Sequence, residues 1–130
     1  DDIFFESIKR YQDTTEKLKI LNRSPLGWKN IEDMIYDGFN CKGQKGCFLV
    51  NSLRDYTILP SSIKKLIDVS HMQFQRLLIQ NLEATGTKKD IQVLANLIGT
   101  FATGIGLKLN VAKPKDLLPE VEAFFNLIKS

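Results

Sequence analysis

Histidine occurs once in this chain, at His71, and cysteine twice, at Cys41 and Cys47. A single histidine excludes every site that needs two, and none lies near the cysteines to complete a metal set. With no export signal, two cysteines read as reduced thiols rather than as a bridge. Long apolar runs are also missing. The longest extend only a few residues, far short of the roughly 20 that span a bilayer, so no membrane partner is expected. The N-terminus lacks the basic-then-apolar layout of a signal peptide, and the chain is expected to be cytoplasmic. An excess of one charge is lacking too: 18 basic against 15 acidic side chains leave +3, too small and too scattered for a nucleic-acid surface. No paired carboxylates, serine triad or metal spacing occurs, so the chain is expected to be no enzyme and to carry no metal or cofactor.

What is present is a chain of 130 residues with 43% hydrophobic content, enough for one domain with a packed core. Phe4, Ile8, Tyr11, Thr15 and Leu18 recur at helical steps and predict an amphipathic helix over 2–20. Ser24-Pro25 has the form of an N-cap followed by proline at the first helical position, with Trp28, Ile31 and Ile35 as the inward stripe and a stop near Gly38. After the polar loop from Asn40 to Gly46 comes the run Cys47-Phe48-Leu49-Val50-Asn51-Ser52-Leu53. It fits a buried strand as well as a buried helix, and helix is preferred because no second strand is there to pair with it.

Pro60-Ser61-Ser62 starts the longest helix, ending near Ala84 before Thr85-Gly86. Ile63, Ile67, Phe74, Leu77 and Leu78 share a face with the polar Ser70 and Asn81, and His71 lies at its edge. Those polar groups must either bond to backbone or line a cavity. Thr87 with Asp90 resembles a capping box for a helix reaching Leu109. Its apolar arc, from Leu94, Leu97, Phe101 and Ile105 through Ile91, Ile98 and Leu109 to Ala95, Gly99, Ala102 and Gly106, covers about half the circumference, beyond the ~100° of a singly packed helix. Asp116 is expected to cap a last helix, with Pro119 in its first turn and Val121, Phe124, Phe125 and Ile128 as its stripe. A wide arc followed by an aromatic-rich terminal helix suggests a dimer seam made by the last two helices.

The order of these elements carries a resemblance. Phe4 to Tyr11 at the end of a helix, a proline-started helix, the loop into Gly46-Cys47-Phe48-Leu49-Val50-Asn51, the long helix after Pro60, and Gly104-Ile105-Gly106-Leu107 together resemble the C-terminal regulatory domain of the TetR/AcrR family of bacterial transcriptional regulators. The resemblance spans essentially the whole chain. It implies an all-α bundle of about six helices, with 1–130 an effector-binding and dimerisation domain, 1–21 the end of a linking helix, and 88–130 the dimerisation helices forming a four-helix bundle with a second copy. It also implies a homodimeric repressor or regulator that binds a small, largely apolar effector and reaches DNA only through an N-terminal helix-turn-helix domain absent from these residues.

The candidate effector-binding residues are Trp28, Ile31, Ile35, Phe48, Asn51, Ser70, His71, Phe74, Leu78 and Phe101, an apolar lining with a few polar groups. The same apolar side chains fit plain core packing. Leu94, Ala95, Ile98, Ala102, Ile105, Leu109, Val121, Phe124, Phe125 and Ile128 are the candidate dimer interface. His71 fits an effector contact or a pH-sensitive group, and equally an exposed structural residue. Arg54 and Asp55 fit either an anchor for a charged effector or a solvated pair. Cys47, near a helix N-terminus, is a candidate redox thiol or a packed side chain. Gly99, Gly104 and Gly106 lack the strand that a nucleotide-binding loop needs, and are expected to serve close helix–helix approach. The competing class is a helical interaction scaffold with no small-molecule site.

Overall fold

A computed structural model describes residues 16–40 and 56–130. These residues form five α-helices: α1 (Glu16–Leu21), α2 (Trp28–Asp37), α3 (Ser61–Ala84), α4 (Ile91–Lys108) and α5 (Pro114–Lys129). Short 3₁₀ turns lie at Gly38–Asn40 and Tyr56–Ile58, and no strand occurs among the described residues. The described residues are therefore all-α, as expected, with five helices among them. The expected short helix from Cys47 to Leu53, and most of the expected helix over 2–20, lie outside the described residues.

Three helix starts differ from expectation. Pro25 is not the first helical residue. The Ser24–Pro25 peptide is cis, and α2 begins at Trp28 after Gly27, whose φ of 155° is open to glycine alone. The Arg23 and Pro25 carbonyls accept instead from the Asn30 side chain, at 2.8 and 3.3 Å. At α4 the cap is Asp90 itself, accepting from the Val93 N–H at 2.9 Å. Thr87 caps nothing in the helix; its hydroxyl accepts from the Lys89 N–H in the preceding turn. At α5 the helix opens on Pro114, with Asp116 in its first turn, so Pro119 falls in the second turn and removes one backbone donor there. The α3 boundaries are as expected. Pro60 precedes the first turn, and Gly86 at φ 71° takes the left-handed conformation that stops the chain from continuing.

Packing follows from these pieces. α1 and α2 form a hairpin laid against α3, and α3 approaches α4 closely. α5 runs antiparallel to α4. Lys108 pairs with Glu120, Phe101 stacks on Phe124, and Lys89 reaches the Ser130 carbonyl, so partners ascend on one helix as they descend on the other. Lys129 of α5 also pairs with Glu32 of α2, closing the ring of helices. One apolar cluster fills the centre, with Leu21, Ile31, Met34, Leu78, Leu82, Ala95, Ile98 and Val121 all fully buried.

Two polar side chains, Asn30 and Asn81, are buried beside that cluster and bonded to each other. Asn81 of α3 is 0% exposed and makes four hydrogen bonds. Its Nδ2 donates to the Leu21 carbonyl at 2.7 Å and the Leu77 carbonyl at 2.9 Å. Its Oδ1 accepts from the Gly27 N–H and from Asn30 Nδ2, each at 3.0 Å. A primary amide has two N–H donors and one oxygen with two lone pairs, so Asn81 is saturated. The two carbonyl partners also settle which amide atom is nitrogen. These bonds join the end of α1, the turn after it, the start of α2 and the last turn of α3. Replacing Asn81 by leucine would leave the Leu21 carbonyl and the Gly27 N–H buried without partners, at a cost of about 1–3 kcal/mol for each group. We expect Asn81→Leu to lower unfolding free energy by about 3 kcal/mol or more in urea titration, and Asn30→Ala by less. An Asn81→Leu protein as stable as wild type would show that the network is dispensable.

Candidate functional site

The expected effector pocket is not an open chamber among the described residues. Ile31, Ile35 and Leu78 are packed into the central cluster, and Trp28, Phe74 and Phe101 lie half-buried against it. Phe48 and Asn51 lie outside the described residues, as do Cys41, Cys47, Arg54 and Asp55. Ser70 is buried on α3, apart from that cluster, and His71 is exposed. The interior cleft lined by Lys17, Ile35, Gly38, Ala102, Gly106 and Leu109, among others, holds about 10 Å³, room for one water. α1, α2 and α4 thus meet there with little slack.

The expected seam changes more. Leu94, Ala95, Ile98, Ile105, Val121, Phe125 and Ile128 are buried within the single chain, and Ala102, Leu109 and Phe124 pack against the same cluster. The wide arc of α4 is used first to build the domain. What it leaves on the surface is a second apolar face. Val93 is 53% exposed, Leu97 49% and Leu107 37%. Thr100 and Gly104 share that face by helical spacing. Leu97 belongs here, not in the core where the arc had placed it. The Phe101–Phe124 stack, with ring centres 4.0 Å apart and planes 4° from parallel, borders the face, and the exposed Leu127 lies one turn beyond Phe124 on α5. A double face of this kind is why α4 alone among the described helices is long and apolar enough to cross a membrane, with mean hydropathy 1.2 and only 28% of its residues buried. A core helix that keeps one outer face passes the same test.

Beside that face, and sharing Thr100 with it, α4 and α3 border a groove of about 340 Å³ lined by His71, Gln75, Asn96, Gly99, Thr100 and Thr103. Gln75 Nε2 donates to Asn96 Oδ1 at 2.9 Å across the two helices. Gln92 Nε2 donates to the same oxygen at 3.2 Å. Gly99 and Gly104 were expected to permit close helix approach, yet a Cβ built at either meets nothing within 4 Å among the described residues. Their space faces outward, into the groove and onto the outer face. Val93, Leu107 and the amides Gln75, Gln92 and Asn96 were not foreseen as surface features. Their only sequence signal is negative: no charged residue occurs from Ile91 through Leu107.

No group of three or more histidine, cysteine, aspartate or glutamate side chains suited to a metal ion occurs among the described residues. No protein-family model, curated protein or solved structure matches the chain.

Among the described residues the Tyr36 phenol is displaced from its ordinary range. Partial burial first, then the nearby carboxylates of Glu122 and Glu32, raise the Tyr36 phenol above its ordinary 10.0. The folded state therefore holds this proton more tightly than the unfolded chain. The resulting stability is complete below the unfolded value and is lost as pH rises through the raised folded one. Comparing urea midpoints at neutral pH and above pH 10, we expect wild type to lose more stability than Tyr36→Phe. Equal losses would count against the assignment.

Proposed function

We propose that this chain is the regulatory domain of a TetR/AcrR-like transcriptional regulator, a homodimerising and effector-responsive module whose DNA contacts belong to a separate helix-turn-helix domain. The order of helices described in the sequence supports it, and one observation carries it: α4 remains apolar on the face turned away from its own core. A helix apolar on both sides needs burial on both sides. The outer face is uncharged from Ile91 through Leu107, and a neutral surface is compatible with a copy of itself across a two-fold axis, where like charges would oppose each other. With Val93, Leu97, Thr100, Gly104 and Leu107 along one side of an 18-residue helix, the strip is about 21 Å long. Leu127 and the Phe101–Phe124 stack extend it onto α5. The seam of the proposed dimer is therefore this outer strip, not the buried residues of the same helices.

In this proposal an apolar effector enters between α2, α3 and α4, against Ile31, Ile35, Phe74, Leu78 and Phe101. It must displace side chains that are already packed, so it stabilises a second arrangement of the bundle. Its leverage on DNA affinity equals its preference for that arrangement and no more. Because α4 borders both the entry region and the outer strip, a shift of α4 changes the angle between two protomers.

A second reading, a helical interaction module without a small-molecule site, is favoured by the size of the interior cleft, about 10 Å³. Thermal shift over a panel of apolar metabolites and drugs separates the two. An effector at ~100 times its dissociation constant raises stability by about 2.7 kcal/mol, and a panel with no response supports the scaffold.

For the dimer, we expect light scattering to give twice the chain mass at micromolar concentration. Leu97→Glu, at an exposed position, is expected to give a folded monomer with unchanged helical content. Gly104→Met should weaken dimerisation by about tenfold or more by placing bulk on the strip. A wild-type monomer, or a Leu97→Glu dimer, would overturn the seam. A charge at Ile98 is not a test of it, since Ile98 is fully buried and such a variant would unfold.

A further inference from the structure

We propose that the α3–α4 groove is a binding site for a small, flat, uncharged molecule presenting a hydrogen-bond donor beside an acceptor, as an amide or a nucleobase edge does. This goes beyond the regulatory reading and does not rest on it.

Size is the first support. The groove is open along the surface and has a volume of about 340 Å³, at the lower end of the roughly 300–1,000 Å³ of small-molecule sites. Charge is the second. Its lining of His71, Gln75, Asn96, Gly99, Thr100 and Thr103 carries no carboxylate, ammonium or guanidinium, although a quarter of the chain's residues are charged. An ionic ligand would find no carboxylate, ammonium or guanidinium to pair with here, so the lining favours a neutral one.

Hydrogen-bond bookkeeping supplies the specific chemistry. Asn96 Oδ1 accepts from both Gln75 and Gln92, so both of its lone pairs are used. Asn96 Nδ2 is left with two N–H donors, and Gln75 Oε1 is left as an acceptor, with no partner for either among the described residues. Turning all three amides over together preserves both bonds and exchanges the two free roles, so one donor and one acceptor stay open in either orientation. A donor and an acceptor on neighbouring, tethered amides match a ligand edge of opposite sense. The Thr103 hydroxyl donates its proton to the Gly99 carbonyl at 2.9 Å and faces the groove as an acceptor. His71, one helical turn before Gln75, adds a planar ring at the rim.

Gly99 is the third support. It lies one turn from both Asn96 and Thr103, in a helix interior where glycine is the poorest former after proline. No packing inside the chain requires it, because an added Cβ meets nothing within 4 Å among the described residues. Any larger residue there would occupy the groove instead.

The test is a titration of the isotope-labelled chain with nicotinamide as the amide probe, adenine as the nucleobase probe and glucose as a polyol control. Backbone and side-chain amide resonances are followed, with oligomeric state recorded throughout. We expect saturable shifts for nicotinamide, adenine or both, centred on the Gln75 and Asn96 side-chain amides and on Thr100 and Thr103, and no saturation with glucose. Which probe saturates identifies the source of the edge. Gly99→Met, which fills the groove, and Asn96→Leu, which removes one of the two open groups, should each weaken the response at least tenfold while the other resonances keep their positions. Should Gly99→Met disturb the fold, Asn96→Leu decides alone. Shifts that never saturate, that glucose reproduces, or that survive Asn96→Leu would overturn the proposal.

Discussion

The buried amide of Asn81 is the constraint on which the arrangement of helices depends. An apolar side chain at that position would fill the same volume, but apolar contact is indifferent to small rotations of one helix over another. Four hydrogen bonds to Leu21, Gly27, Asn30 and Leu77 are not indifferent. A slip of α3 by one residue would strand the end of α1 and the turn before α2 with buried, unpaired backbone groups, whose desolvation is costly. The amide therefore sets the angle and register of the α1–α2 hairpin on α3. The hairpin in turn places Met34 and Ile35 toward α4 and Tyr36 toward Glu122 of α5. Asn30 extends the same control to the turn by holding the Arg23 and Pro25 carbonyls.

With that side of the bundle locked, α4 becomes the element that faces two ways. Its buried residues Leu94, Ala95, Ile98 and Ile105 complete the interior. α5 stands against it on aromatic rings, Phe101 on Phe124 and Phe124 edge-on to Phe125, with the Lys108–Glu120 pair at one end. Large rings hold two helices apart and leave the outer strip of α4 flanked rather than covered. α3, by contrast, approaches along amides and hydroxyls and leaves a polar groove. Two adjoining faces of one helix thus differ in kind, an uncharged, largely apolar strip and a groove of amides and hydroxyls, with Thr100 at their border.

Much of this was legible in the residue pattern, for definite reasons. The all-α class follows from three- and four-residue spacing that no strand period reproduces. The limits of α3 follow from Pro60 and Gly86, each of which restricts the backbone whatever surrounds it. The position of Asn81 on an apolar face announced that its amide needs partners, and the excess width of the α4 arc announced more apolar surface than the chain's own core covers. Helix starts were less legible. Thr87 and Asp90 are both good caps, and Ser24-Pro25 has the form of one. The choice between such candidates is made by which backbone groups the folded chain leaves open, as Asn30 does by claiming the carbonyls of the α2 turn. Residue roles on α4 were less legible still, because periodicity gives the face of a helix but not which neighbour stands on it.

The sequence by itself determined the helical class, the extent of α3 and the end of α4 to within a residue or so, the absence of any two-histidine site, and the surplus of apolar surface on α4. These are properties of local backbone preference and composition, and they hold before any helix meets another. Only the tertiary structure decided that Ile98 and Phe125 serve the chain's own core while Leu97 faces outward, and that Asn81 bonds to backbone rather than lining a cavity. It also decided that Gln75 and Asn96, 21 residues apart, share one hydrogen bond at the edge of a groove. Apolar burial is non-directional, so a wide arc cannot specify which of its residues a given neighbour will cover. That choice is made when directional bonds, here those of Asn81 above all, fix how the helices cross.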